Sequence, residues 1–231
     1  LLTQTNSFYA RACYIDTFEA KGAAEFVLHK LNTTAGAIMY YEDNDLAKVK
    51  ADEFSQYYME VTGADHITTA ELPADIEDLS EIFFALHSYG IEAIYLPEKA
   101  ESARRLFAAA EELGYEFSWI GTSEWKGIDA EGVYYTVDFD PDKILTARTQ
   151  RFLHEYAQVH GPGSSPSENV ALGFDAYLIA INGISRAGDP SDGALIASSI
   201  TSIKDLAGAT GTITMDSNGD PAVSRVMSRS Q

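Results

Sequence analysis

The sequence predicts an α/β fold, a parallel doubly wound sheet with helices on both faces. Three observations carry this. Apolar stretches of strand length alternate with segments of helical spacing as far as Trp125. Several of the strands are continuous apolar runs, as expected where both faces of a sheet are covered. Glycines stand where the helical spacing stops. Strands alternating with helices of this length build βαβ units.

Phe8 to Tyr14 is β-prone, and Asp16-Thr17 offers a helix start, since Asp is a good N-cap. Phe18, Gly22, Phe26, Val27 and Leu31 follow at helical spacing. Ala35 to Tyr41 is a continuous apolar run and reads as a strand buried on both faces. Leu46, Val49, Phe54, Tyr57, Tyr58 and Val61 mark the next helix, with Gly63 as its stop. His66 to Ala70 reads as a strand, Asp78 to Tyr89 as a helix, and Ile91 to Leu96 as a strand. Ala103, Leu106, Phe107, Ala110 and Leu113 give another helix, closed by Gly114 before a fifth strand at Phe117 to Ile120.

Beyond Gly127 the rhythm changes. Gly132 to Phe139 is one longer β-prone segment, broken by Asp140-Pro141. Ile144 to Val159 is amphipathic, and Gly161 to Pro166 is the clearest loop in the chain. Glu168 to Arg186 is apolar around much of its circumference and is expected to be well buried. A short helix runs from Asp189-Pro190 to Ile200, and Thr212 to Met215 is a strand entering a tight turn at Ser217 to Asp220. Thr136 to Pro141 is expected to be a hinge between two parts of the chain, because hinges are usually a few residues at element ends.

Composition narrows the function. Of 231 residues, 45% are hydrophobic and 11% aromatic, the balance of a folded protein rather than a disordered one. Asp and Glu outnumber Lys and Arg by 35 to 16, for a net charge of −19. Nucleic acid and anionic membrane surfaces are therefore poor partners, since phosphate contacts need clustered cations. No apolar run approaches the roughly 18–20 residues that cross a bilayer. Cys13, the single cysteine, lies in an apolar stretch and is expected to pack as a small hydrophobe.

Motifs that would carry catalysis are missing. There is no G-x-G-x-x-G, no G-x-x-x-x-G-K-[ST] and no G-x-S-x-G. His154-Glu155 lacks a second histidine four residues on, and the five histidines are scattered. Asp216 to Asp220 imitates the start of a calcium loop, but Pro221 and Met227 stand where Gly and Glu are needed. The sequence therefore implies no catalytic residue, no metal and no cofactor. Ligands of open α/β sheets bind outside the carboxyl ends of the strands. The loops expected there are Tyr14 to Thr17, Tyr41 to Asn44, Leu96 to Lys99 and Gly121 to Trp125. Their aromatics, carboxylates, lysine and hydroxyls suit a polar small molecule with an apolar part.

Phe8-Tyr9-Ala10-Arg11-Ala12, then Asp16-Thr17-Phe18 and Gly22-Ala23-Ala24, resembles the opening of the second lobe of Leu/Ile/Val-type periplasmic solute-binding proteins. These are the type I binding proteins of ABC transporters. Ile94 to Pro97, Ala108 to Gly114, Ile120 to Trp125, Gly173 to Tyr177 and Gly211 to Asp220 are similar to family segments in the same order. Glu19-Ala20-Lys21 departs from the Gln-Gly usual in the opening, and Glu42 to Asp45 is shorter than the loop of many amino-acid binders.

The resemblance implies a near-complete second lobe at 1–139, a partial first lobe, the returning part of that α/β lobe, at 140–220, and a segment crossing back at 221–231. It also implies family chain ahead of Leu1 and beyond Gln231, so the chain alone is expected to bind weakly and to leave Phe174, Leu178 and Ile181 exposed. The implied function is a non-enzymatic periplasmic or extracellular receptor, its signal peptide outside this sequence, that presents a small polar solute, such as an amino acid, to an ABC permease. A ligand-sensing domain of a signalling receptor and an α/β enzyme remain alternatives. Asp16, Thr17, Asn44, Lys99, Ser123, Glu124 and Trp125 are expected to line the ligand cleft. In that reading Trp125 forms a stacking wall and Glu124 pairs a ligand cation.

Overall fold

The computed structural model describes residues 3, 6–13, 16–222 and 226–229, apart from the side chains of 16, 17, 222 and 226–229. The chain divides into two compact units. One holds Asp16–Val137 with Met227–Gln231, and the other Leu1–Ile15 with Asp138–Val226. The boundary after Val137 falls inside the 136–141 segment singled out above.

The 16–137 unit alternates as its sequence predicts. Its elements are α1 (Asp16–His29), β1 (Gly36–Tyr41), α2 (Asp45–Thr62), β2 (Thr68–Leu72), α3 (Ser80–Ser88), β3 (Ala93–Tyr95), α4 (Ala100–Glu112), β4 (Ser118–Gly121) and β5 (Val133–Val137). A 3-10 turn at Ser123–Trp125 follows β4. The strands lie in the order β2-β1-β3-β4-β5, all pairs parallel. A further strand, β9 (Val226–Arg229), lies beside β5.

Side chains alternate across the sheet, so each β1 residue chooses a core. Ala37, Met39 and Tyr41 pack on one face with Phe83, Leu86, Ala103 and Leu106 of α3 and α4. Ile38 and Tyr40 pack on the other with Ala20, Ala24, Ala51 and Phe54 of α1 and α2. That double covering explains why Ala35 to Tyr41 is apolar throughout. Gly63 ends α2 at φ 70°, its N–H returning to the Met59 carbonyl. A side chain there would be strained. The expected strand at 66–70 sits two residues later, at 68–72.

The second unit contains α5 (Ala147–His160), α6 (Glu168–Ala187), α7 (Gly193–Thr201), and a three-stranded antiparallel sheet of β6 (Leu206–Ala207), β7 (Thr212–Met215) and β8 (Pro221–Ala222). Thr146 caps α5 by accepting from the Thr149 N–H at 2.9 Å, and its own hydroxyl donates to the Gly208 carbonyl. Asp175 of α6 is fully buried and accepts from Ala209 N at 2.6 Å, Thr210 N at 2.9 Å and Thr210 Oγ1 at 2.7 Å. One carboxylate thus shapes the loop between β6 and β7.

Three expectations fail in this unit. Residues 6–13 form turns and irregular chain rather than a strand. Their place is set by Arg11, whose guanidinium pairs with the buried Asp220 at 2.7 Å while its N–H donates to the Gly219 carbonyl. Cys13 is exposed, not packed. Helix α6 is also not buried all round. Its inner line is Ala171, Asp175, Ile179 and Gly183, with Gly183 close against Ile200 of α7. Val170, Tyr177, Ile181 and Ile184 face solvent. Of the three residues expected to be exposed, Ile181 is, while Phe174 and Leu178 are half-buried.

Candidate functional site

The strand order of the 16–137 unit locates a site. From β1 the chain crosses to β2 on one side, and β3 returns on the other side of β1. At such a reversal the connecting helices diverge to opposite faces and leave a crevice outside the carboxyl ends of the strands. Here the crevice is a cavity of about 580 Å³. Tyr41 at the end of β1 and Glu98 just beyond β3 form its base.

Glu98 organises this end of the sheet. It is 4% exposed. One carboxylate oxygen accepts the Tyr41 N–H and the other the Asn44 side-chain amide, each at 2.9 Å. Its carbonyl accepts the Trp125 indole N–H at 2.7 Å. Asn44 in turn caps α2 by accepting from Ala47 N at 3.1 Å. Burial pushes the Glu98 carboxyl above its ordinary value, opposed by the hydrogen bonds from Tyr41 and Asn44.

The Tyr41 hydroxyl is buried with no hydrogen-bond partner among the described residues. Burial raises its pKa, while the positive charge of Arg105 pulls it down. A buried hydroxyl left without a partner costs about 1–3 kcal/mol, and a bound molecule would recover that. Four carboxylates, Asp43, Asp45, Glu98 and Glu101, line the same cavity with two cations, Lys99 and Arg105. The arrangement can hold a small molecule carrying both charge signs, or several hydroxyls.

Of the residues expected from sequence, Asn44 and Lys99 line this cavity. Ser123 and Glu124 are exposed on the 3-10 turn after β4. The Ser123 N–H donates to Glu19 at 3.1 Å. The side chains of Asp16 and Thr17 lie outside the described residues. Trp125 does not form an open wall. It is fully buried, edge-on to Phe107 with ring centroids 5.1 Å apart, its indole packed on the bare backbone of Gly121. The missing glycine side chain lets the indole fold inward, and the Glu98 carbonyl satisfies its N–H.

Tyr41 and Glu98 fall in the strand-end loops named from sequence but were not singled out, and Arg105 was passed over. Glu98 had a readable signal, a carboxylate directly after a buried strand and Pro97. Among the described residues no group of three or more His, Cys, Asp or Glu side chains is arranged to hold a metal ion. No described helix is long and apolar enough to cross a membrane.

Known proteins share this architecture. A family model described as periplasmic binding protein matches residues 3–228. A leucine-binding protein from Thermotoga maritima is 23% identical, with a TM-score of 0.68 over 98% of this chain and 65% of its own. An ABC transporter substrate-binding protein from Desulfitobacterium hafniense, solved with leucine, is 20% identical with a TM-score of 0.73, over 92% of this chain and 62% of its own. An ABC transporter solute-binding protein from R. palustris, solved with benzoate, is 12% identical with a TM-score of 0.62, over 96% of this chain and 62% of its own. The chain thus spans about two thirds of the length of these proteins. At such identities the likeness establishes the fold. No curated protein matches the chain.

Proposed function

The chain belongs to the periplasmic binding protein family, and from that premise we propose that it serves as an extracytoplasmic receptor presenting a small polar solute of the amino-acid class to an ABC permease. The observation that carries this reading is the strand-end cavity, with mixed charge and a buried Tyr41 hydroxyl that has no hydrogen-bond partner among the described residues. A zwitterion suits such a lining, because its ammonium and carboxylate groups meet acids and bases together. A solved relative that holds leucine supports the class.

In this reading Asn44, Lys99, Ser123 and Glu124 act on the solute from the 16–137 unit. Asp16 and Thr17 join them from the start of α1. Within the expected 1–139 lobe, 16–137 forms one lobe of the family, while the residues up to 15 group with the 138–226 stretch that includes the expected 140–220 part of the other lobe, and 221–231 is the segment crossing back. Thr136 to Pro141 is the hinge. In this reading the role is binding rather than catalysis, in keeping with the periplasmic binding protein family.

Calorimetry on the product of the complete gene tests the proposal, with leucine, lysine, glutamate and benzoate as probes. One amino acid should bind with a Kd of roughly micromolar order. Lys99→Ala and Tyr41→Phe should each weaken it by about tenfold, or 1.4 kcal/mol. Silence with every amino acid, or affinity indifferent to both substitutions, overturns the reading.

A further inference from the structure

A second polar cluster in the 16–137 unit lies apart from the cavity. Glu19, on the first turns of α1, is 3% exposed. One carboxylate oxygen meets the Lys50 ammonium of α2 at 2.7 Å. The other accepts the Ser123 N–H at 3.1 Å and the Thr136 hydroxyl at 2.5 Å. Lys50 is itself buried, and Thr136 has no exposed surface. Four separate elements, α1, α2, the turn after β4 and strand β5, therefore meet at one carboxylate.

The positions of these elements in the chain give the cluster its meaning. Asp16 is the first residue of the unit and Val137 the last before the chain leaves it. Glu19 stands within a turn of the point of entrance, and Thr136 is one residue from the exit. The same carboxylate fixes the backbone of Ser123, next to the exposed Glu124.

Stability alone is a poor account of the arrangement. A buried ion pair gains little over well-packed apolar side chains of the same volume, because both charges must first be stripped of water. A carboxylate does what an apolar side chain cannot, holding an N–H and a hydroxyl at fixed distance and direction.

We propose that Glu19 is a positioning residue, its carboxylate setting the place of the Ser123–Trp125 turn and of the end of β5, with Lys50 as its countercharge. That the turn then meets a solute rests on the functional reading above. The placement itself does not, and it is read with no solute present.

The test uses Trp125 as a reporter in a Trp119→Phe background, where it is the sole tryptophan. In Glu19→Ala, acrylamide quenching of Trp125 should rise by roughly twofold, and Ser123 N–H exchange should quicken by about a hundredfold under native conditions. Far-UV circular dichroism should stay that of the folded chain. Glu19→Gln keeps one acceptor oxygen and should return Ser123 exchange to within about tenfold of the parent. Should Glu19→Ala fail to fold, Glu19→Leu with Lys50→Met replaces the pair by apolar volume. That variant should fold, with Ser123 exchange again raised by about a hundredfold. A lower melting temperature with parental quenching and exchange would show a merely structural pair and overturn the proposal. So would parental exchange in the double variant. Either failure leaves solute binding by the complete protein untouched, so the two readings fall separately.

Discussion

Replacing Gly121 with alanine puts a methyl group where the Trp125 indole already lies. A Cβ built on Gly121 falls 2.1, 2.2 and 2.3 Å from three indole carbons. Carbon atoms rest about 3.5–4.0 Å apart, so the ring must retreat by more than 1 Å or so. It has little room. Phe107 meets it edge-on, and its N–H is held by the Glu98 carbonyl at 2.7 Å. Overpacking of this kind costs about 1–3 kcal/mol. Pulling the indole off Glu98 leaves buried groups unpaired, for about 1–3 kcal/mol more. The sum is about 2–6 kcal/mol, and at roughly 3 °C per kcal/mol for a chain of this size the melting temperature falls by about 6–18 °C. Thermal unfolding followed by circular dichroism measures the fall. Tryptophan emission should shift red as Trp125 leaves its site. Trp125→Leu in the alanine background removes the clash, so the double variant should lose less than the sum of the single losses by at least about 1 kcal/mol. A melting temperature within about 2 °C of the parent, or a strictly additive cycle, would refute the packing argument.

In the other unit, Asp175→Ala strips the acceptor from two N–H groups and a hydroxyl, and should cost about 3–5 kcal/mol in urea unfolding. Asp175→Asn should cost less, and equal losses would show that the side-chain oxygen is not the cause. For Glu98, burial raises the folded-state pKa above the ordinary 4.5. The folded chain then binds the proton more tightly than the unfolded one. The stability linked to Glu98 is therefore full below pH 4.5 and declines as pH rises through the raised value. A carboxyl carbon NMR titration that places Glu98 at or below 4.5 would contradict this.

The sheet of the 16–137 unit was legible because its signals are local. Ala35 to Tyr41 is apolar on both faces since both are covered, and Gly63 stops a helix whose spacing is visible over five turns. What was not legible depends on residues distant in sequence. Phe8 to Cys13 has strand-like residues, yet its path is set by Arg11 reaching Asp220. Helix α6 carries enough apolar residues for burial all round, but the line through Ala171, Asp175, Ile179 and Gly183 is what lies buried, flanked by a half-buried Phe174 against Phe152, while Val170, Tyr177, Ile181 and Ile184 face solvent. The site divides the same way. Strand-end loops can be read from the alternation of elements, so Asn44 and Lys99 were found. Which carboxylate turns inward depends on the β1–β3 register, and so Glu98, though inside a named loop, was not singled out. Trp125 was misread because its orientation is decided by a side chain that Gly121 lacks. Lys50, Ser123 and Thr136 lie 31, 104 and 117 residues from Glu19, beyond any spacing rule.

The way the two units share the chain bears on the order of synthesis. Residues 16–137 leave the ribosome as one uninterrupted stretch whose strand pairs are joined by short crossovers, so this part can fold early. The other unit cannot. Thr3 bonds to Asp220 across 217 residues, and closing so long a free loop would cost about 5 kcal/mol. A sheet already formed in between shortens the effective span and lowers that cost. Thr3 and Arg11, made well before their partner, are thus among the last to settle, with Arg11 waiting until Asp220 has been translated. Substitutions that slow the folding of the early sheet should therefore lower the yield of both units, while Asp220→Ala should spare the sheet and leave residues 6–13 open to proteolysis.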